Sequence, residues 1–425
     1  MGSKNILTFI HISDIHFAKT SGDPYDIDDE LRQAMLNDLN TFAKKQLDQV
    51  NGILVCGDLA FSGKAAEYDI ACKFLDDVTK IFNLEKKDIY CVAGNHDVDQ
   101  TVVKSSYALE LIQNQLSSVK ASDHLDKLIR RIQKDPVIGL EEGLLYKPLE
   151  VYNKYFEPMA CNYTVNSPNW STAIPLDDGY DLIIYGMNSV MTSNHKDHYD
   201  DNGHKFSDGT ERKMSINRGQ IPKVREKAIY LSLCHHPIEY WNDNSLSALM
   251  DARVKLQLYG HKHIQSIDAN ECRIRICSGA LQPERGGDWY PKYNWIQIWV
   301  ENNELFVKIY PRAYDDKYGR FGEDTESCAN NCNYQLCKLS LVNKGGQLEE
   351  ESPSVEENNI RRTTVMTKEI VYRFSILSDR DQKSLLKQFP MLEYKVTQEI
   401  DVLLSQIDFH NLQDIFLQKL TNKEY

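Results

Sequence analysis

The sequence predicts an α/β fold, a two-layer mixed β-sandwich flanked by helices, with a small α-helical bundle at its C-terminal end. Three observations predict it. Five short apolar runs read as buried strands: Ile6 to Ile12, Ile53 to Cys56, Ile89 to Ala93, Ile229 to Leu233 and Val254 to Tyr259. Each is followed at once by a polar cluster rich in Asp, His or Asn, and side chains at the carboxyl ends of strands converge on one face of an α/β sheet. Segments with helical spacing occur within the stretch after Ala93, at Ser105 to Val119 and Asp123 to Lys134, and recur in the part from residue 366.

In chain order the clusters are Asp14-Ile15-His16, Gly57-Asp58, Gly94-Asn95-His96-Asp97, Cys234-His235-His236-Pro237 and Gly260-His261-Lys262-His263. Singly, each occurs by chance in surface loops. All five in this order, each after an apolar run, point to metal chemistry at the strand tips. Carboxylate, imidazole and amide oxygen suit divalent Mn, Fe, Zn or Ni without a thiolate. A carboxylate can bridge two cations about 3.5–4 Å apart. Asp58 is expected to be that bridge, because Gly57 lets the chain turn tightly beneath the metals. Asn95 offers a neutral oxygen, which leaves its metal a stronger Lewis acid. Water held between two such cations loses its proton near neutral pH and attacks phosphorus in line. His96, not needed as a ligand, is expected to donate a proton or hydrogen bond to the leaving oxygen, with Asp97 orienting its ring.

Together these residues resemble the calcineurin-like metallophosphoesterase superfamily, whose pattern is DxH, GD, GNH followed by Asp or Glu, a further His, and GHxH. The resemblance covers about residues 5 to 315. It implies the sandwich fold, two divalent metal ions (Mn and Fe foremost, then Zn or Ni) and hydrolysis of a phosphodiester. Position by position it implies that Asp14, His16, Asp58 and His263 hold one metal, and that Asp58, Asn95, His235 and His261 hold the other. His96 becomes the catalytic histidine. His235 is preferred to His236 because the family ligand stands two residues before the Pro. The run Gly57-Asp58-Leu59-Ala60-Phe61-Ser62-Gly63 lacks the signatures of Ser/Thr phosphatases and of double-strand-break nucleases. With Glu67-Tyr68 it is more similar to the cyclic-nucleotide and glycerophosphodiester phosphodiesterase branch. The expected substrate is a nucleotide or nucleic acid. The alternatives are a nuclease for single-stranded DNA or RNA, and a catalytically weak binding or signalling module of a bacterial defence system.

Two insertions interrupt the catalytic pattern. The first spans about 99–176, where Ser105 to Val119 and Asp123 to Lys134 have helical spacing and Tyr146, Tyr152, Tyr155, Phe156 and Tyr163 follow. It reads as a helical layer with an aromatic core and as a cap shaping the pocket. The second, Asn194 to Lys205, is polar and His-rich, and offers His195, His198 and His204 to a leaving group. Arg218, opening a helix, and Arg285, near Gly286-Gly287, are candidate phosphate clamps. Arg273 to Cys277, Trp295 to Val300 and Leu305 to Tyr310 read as strands of a second sheet, with a turn at Asn302-Asn303.

The catalytic domain is expected to span 1–342, an acidic linker 343–365 (Glu349 to Glu351, Pro353, Glu356, Glu357), and a helical interaction domain 366–425. In the last part Leu385, Leu386 and Phe389, then Ile400, Leu403, Leu404 and Ile407, then Leu412, Ile415, Phe416 and Leu420 fall on helical faces. It distantly resembles the effector-associated domains that bacterial signalling and defence proteins append to catalytic domains, and is the expected site of self-association or of a protein partner. A net charge of −13 does not advertise a duplex-DNA groove. No apolar run reaches membrane-span length and no signal peptide is evident, so the expected home is the cytosol, without a membrane partner. Of the ten cysteines, Cys56, Cys91 and Cys234 lie in apolar runs. Cys328, Cys332 and Cys337 lie close enough in sequence to raise a zinc site, but match no zinc spacing.

Overall fold

The computed structural model describes residues 4–26, 28–47, 49–134, 143–164, 167–197, 212–282, 290–328 and 332–341. All belong to the first of two units, Met1–Gly345. The linker and the helical segment 366–425 lie outside the described residues, as do His198, His204 and Arg285.

The strands are β1 (Leu7–Ile12), β2 (Gly52–Val55), β3 (Ile89–Cys91), β4 (Trp170–Pro175), β5 (Asp181–Gly186), β6 (Ala228–Cys234), β7 (Val254–Tyr259), β8 (Ser266–Ala269), β9 (Ile274–Cys277), β10 (Lys292–Glu301), β11 (Glu304–Asp315), β12 (Arg320–Glu323) and β13 (Gln335–Ser340). The helices are α1 (Asp29–Gln46), α2 (Ala65–Phe82), α3 (Gln100–Ser105), α4 (Tyr107–Ser117), α5 (Ser122–Gln133), α6 (Glu150–Phe156) and α7 (Ser245–Arg253).

The strands form two mixed sheets. The first runs β12-β11-β10-β1-β2-β3, with β13 also on β11; the second runs β4-β5-β6-β7-β9-β8. β1, β2 and β3 are parallel in the first, and β5, β6, β7 and β9 in the second. β1, β2 and β3 are buried at every position, which follows from cover on both faces. β11 instead alternates along Glu304–Ile309, the mark of one covered face. One core cluster joins residues of both sheets, among them Phe9, Ile53 and Val307 with Leu182, Leu231 and Ile274. A smaller one gathers Met187, Trp241 and Tyr259 with Leu246 and Met250 of α7.

Three expectations are corrected. The stretches around 274–277, 295–300 and 305–310 do not share a sheet: β9 pairs with β7, whereas β10 pairs antiparallel with β1, Leu7 opposite Ile298. Apolar period identifies a strand but not its partner. The turn between β10 and β11 is as expected, with Asn302 and Asn303 at φ 55° and 56°. The insertion of 99–176 ends in the edge strand β4, antiparallel to β5, with Pro175 where no ladder donor is required. Its first long helix starts at Tyr107, because the Ser106 hydroxyl accepts from the Leu109 N–H and breaks it from α3.

The aromatic half of this insertion is a buttress for β3. The Tyr152 hydroxyl donates to the Cys91 carbonyl (2.8 Å), and the Tyr163 hydroxyl donates to the Met187 carbonyl (3.2 Å). Tyr152 stacks on Phe156 and Tyr163 with ring centroids 4.6 and 5.8 Å away. Cys337 packs in the core opposite Val307 on β11, which accounts for it as a small hydrophobe.

Candidate metal centre

The carboxyl ends of β1, β2, β3, β6 and β7 meet where the two sheets adjoin. Backbone pairing carries beyond the strands into the ligand loops: Asp14 N–H donates to the Gly57 carbonyl (3.1 Å), and His16 N–H to the Asp58 carbonyl (2.9 Å). From the other sheet, the Gly260 N–H donates to the His235 carbonyl (3.1 Å). Five of the expected ligands stand in left-handed backbone: Asp14, His16, Asp58, His261 and His263, with φ between 53° and 70°. A left-handed turn costs a non-glycine residue about 1–2 kcal/mol. Here it turns the chain back at the strand tip, so that residues two apart, as in Asp14/His16 and His261/His263, both face inward.

Two donor sets result. In the first, His263 Nε2 is 3.3 Å from Asp14 Oδ1 and 3.5 Å from His16 Nε2. In the second, His235 Nε2 is 2.9 Å from Asn95 Oδ1, which is 3.1 Å from His261 Nδ1. Asp58 faces both, with Oδ2 4.0 Å from His16 Nε2 and 3.4 Å from His235 Nε2. Within Asp14/His16/His263 and within Asp14/Asp58/His235 the potential ligand atoms all lie within 4.8 Å of one another.

The electrostatics suit cations. Burial opposes the charge on Asp14 and Asp58, yet the surrounding histidines hold both carboxyls below the ordinary range, Asp58 well below it. Burial pulls His16 down to about 4, leaving a neutral ring able to bind metal. His235 is pushed up to about 9: burial works against its charge, but Asp58 outweighs it. His263 is likewise raised, against burial, by Asp14. The buried carboxylates of Asp14 and Asp58 thus favour positive charge on His263 and His235, the field that would also favour a cation here. The His235 Nδ1–H donates to the Cys56 carbonyl (2.8 Å), which fixes the ring with Nε2 toward Asp58 and Asn95. The donor set fits two divalent metals.

Gly94 is required by close approach: a Cβ there would lie 2.1 Å from Asp58 Oδ1. The next residues place His96, whose N–H donates to that same oxygen (2.8 Å). The expected orienting role of Asp97 is corrected. His96 Nδ1 donates to the Phe61 carbonyl (2.8 Å), since a carbonyl only accepts. Asp97 is buried and accepts from the Gly94 and Ala60 N–H groups (2.8 and 3.0 Å) and the Tyr68 hydroxyl (2.8 Å). It ties the Asp58 loop to the Asn95 loop. Burial, then repulsion from Asp58, pushes its carboxyl up to about 6.

The segment Gly63 to Tyr68 serves this same junction. Gly63 turns at φ 69°, and a Cβ there would meet the Asp97 carbonyl at 2.7 Å. Glu67 accepts from the Ser62 and Lys64 N–H groups (2.9 and 3.0 Å) at the start of α2.

Among the described residues, His195 is not one of the grouped metal donors. His195 lies against the cap helices, where burial and then Lys104 and Lys196 lower its pKa. Arg218 is exposed on a single 3₁₀ turn, Arg218–Gln220, rather than opening a helix, because Pro222 follows. Arg285 lies outside the described residues. The structure adds His236, set aside in the sequence: its potential ligand atom falls within 4.8 Å of those of His235 and His261, and its Nδ1 is 2.9 Å from the Ser189 hydroxyl. The double histidine before Pro237 was the available signal.

Two sheets, flanking helices and a histidine–carboxylate centre at their joined strand tips define a metal-dependent phosphoesterase. The profile of the family described as calcineurin-like phosphoesterase matches residues 7–265, and the chain belongs to that family of hydrolases. It is 22% identical over 367 residues to the uncharacterized metallophosphoesterase-like protein YydB of Bacillus subtilis, covering 83% of this chain and 69% of that one. Among solved structures it is similar to a 5′-nucleotidase of Candida albicans (14% identity, 71% of this chain and 49% of that one, TM-score 0.33). Another is Vacuolar Protein Sorting 29 of Cryptosporidium parvum (11% identity, 79% and 98%, TM-score 0.31). Among the described residues no helix is long and apolar enough to cross a membrane.

Proposed function

We propose that this protein is a phosphodiesterase that holds two divalent cations and cleaves phosphodiester bonds in a nucleotide or nucleic-acid substrate. The observation that carries this reading is Asp58, one buried carboxylate facing two donor sets at 3.4 and 4.0 Å. Asp14, His16 and His263 would hold one cation with Asp58; Asn95, His235 and His261 would hold the other. When bound, the pair supplies Lewis acidity and a nucleophile at neutral pH.

The chain's own residues do the rest. His235 and His96 are each locked by a backbone carbonyl, of Cys56 and Phe61, so neither ring has to reorient on binding. With Nδ1 committed, Nε2 is the nitrogen of His96 that gives a proton to the leaving oxygen. Asp97 and Tyr68 hold the His96 loop from behind. The likeness of the Gly63 and Glu67-Tyr68 segment to phosphodiesterases favours a diester over a monoester.

The test is a Mn²⁺-supplemented panel. Bis-p-nitrophenyl phosphate should be hydrolysed faster than p-nitrophenyl phosphate, and cyclic nucleotides, single-stranded and duplex DNA, and RNA should rank the natural classes. Exclusive monoester turnover, or a persistent single metal equivalent per chain, would overturn the reading. Residues 366–425 are proposed as an association module. Removing them should lower the oligomeric state or lose a partner and spare small-diester hydrolysis.

A further inference from the structure

Phe61 is 53% exposed, at the mouth of an otherwise polar centre. Its loop is fixed: the Phe61 N–H donates to the Phe17 carbonyl (3.0 Å), and Ala60 bridges to Phe17. Its ring stands beside the His96 imidazole, centroids 5.5 Å apart and planes 44° apart. The row continues inward, with His96 4.6 Å from His16, and His16 5.5 Å from His263. Phe61 is the outermost ring and the one ring in this row without a polar atom. A rigid apolar face in water next to an acid–base histidine asks for an apolar face on the ligand.

The leaving oxygen must come within hydrogen-bond reach of His96 Nε2, so the group it carries extends beside Phe61. We propose that the Phe61 ring is the platform for the leaving group, and that the enzyme favours diesters whose departing alcohol carries a flat ring: an aryl alcohol or a base-bearing nucleoside. This rests on the proposed role of His96. In the step itself a phosphorus–oxygen bond to water forms and the bond to the departing oxygen breaks. That oxygen leaves with the proton from His96, while Phe61 exchanges neither proton nor electrons.

The test is a competition within one molecule. Phenyl hexafluoroisopropyl phosphate can lose either of two alcohols of similar acidity, one flat and one not. Wild type should release phenol preferentially, read as the product ratio by ¹⁹F and ³¹P NMR. F61A and F61L should reduce that preference by about ten-fold, the scale of one ring stacking on an aromatic side chain, and F61W should retain it. Metal content and melting temperature, measured alongside, should stay at wild-type values. An unchanged ratio in F61A, or an equal loss of both products, overturns the platform.

If no version cleaves a diester, the phosphodiesterase reading fails, and the platform is read by binding instead. Emission of F61W, taken as a difference from the five native tryptophans, should be quenched by phenyl phosphate at about ten-fold lower concentration than by cyclohexyl phosphate. Equal quenching overturns the proposal independently of turnover.

Discussion

The first sheet brings the acids of the centre and the second brings only bases: Asp14 and Asp58 follow β1 and β2, whereas His235, His261 and His263 follow β6 and β7. Each half alone is electrostatically unbalanced. The first gathers buried carboxylates that repel one another, and the second a group of imidazoles that cannot all be charged together. Apposition resolves both, which explains why His235 and His263 gain basicity while Asp14 and Asp58 lose it. Cations held across both halves would therefore stabilise the folded chain by mass action.

The strongest way to break this comparison is to remove the charge shared by both donor sets. Asp58→Asn should empty both metal positions together, with metal affinity falling more than the 10–100-fold seen for outer-shell changes. His263→Ala, on the basic side, should cost one equivalent. Metal analysis after Mn²⁺ loading separates the two patterns, and loss of a single equivalent in Asp58→Asn would show that the sheets hold their metals independently. His96→Ala tests the proposed acid–base role, and metal content tests whether His96 is also a ligand. Metal content should hold while kcat falls by about 10²–10⁴, and less for p-nitrophenolate, which leaves without help; equal losses on good and poor leaving groups would point to positioning instead.

Gly94→Ala pushes the two loops of the acidic half apart at 2.1 Å from Asp58 Oδ1. It should destabilise the fold by about 1–3 kcal/mol and weaken metal binding, both visible in melting curves with and without Mn²⁺. An imidazole inside the acidic half sharpens the contrast through pH. Burial lowers His11 to about 3 from 6.5, with Asp14 resisting. Between those values the unfolded chain binds the proton that the folded chain refuses. Stability from this group is complete above about pH 6.5 and falls toward pH 3 by up to about 1.4 kcal/mol per unit. His11→Gln should flatten that acid limb in denaturant titrations; an unchanged slope would mean His11 is not the group responsible.

The ligand loops were legible because metal chemistry restricts residue types at fixed offsets from strand ends, so Asp14, Asp58, Asn95 and His261 stand out whatever the rest of the chain does. Strand pairing was not. β9 and β10 each show in the sequence only as an apolar run, and only tertiary packing sends one to β7 and the other to β1. Asp97 was misread for a related reason: adjacency to His96 suggested a partner, but a buried carboxylate takes whichever N–H groups the opposing loop presents. The aromatic insertion gave composition without direction, and Tyr152 proved to face Cys91.

The left-handed turns at Asp14, His16, Asp58, His261 and His263 set two kinds of selection against each other. At each, glycine or asparagine would relieve the backbone and remove the carboxylate or imidazole donor. A library selected for heat resistance in the presence of chelator should drift toward those residues and end in a sturdy, silent fold. The same library selected with Mn²⁺ present should keep the ligands and gain its stability elsewhere. Divergence between the two lineages at these five positions, and not at their neighbours, would measure how far catalysis rather than folding wrote this part of the sequence.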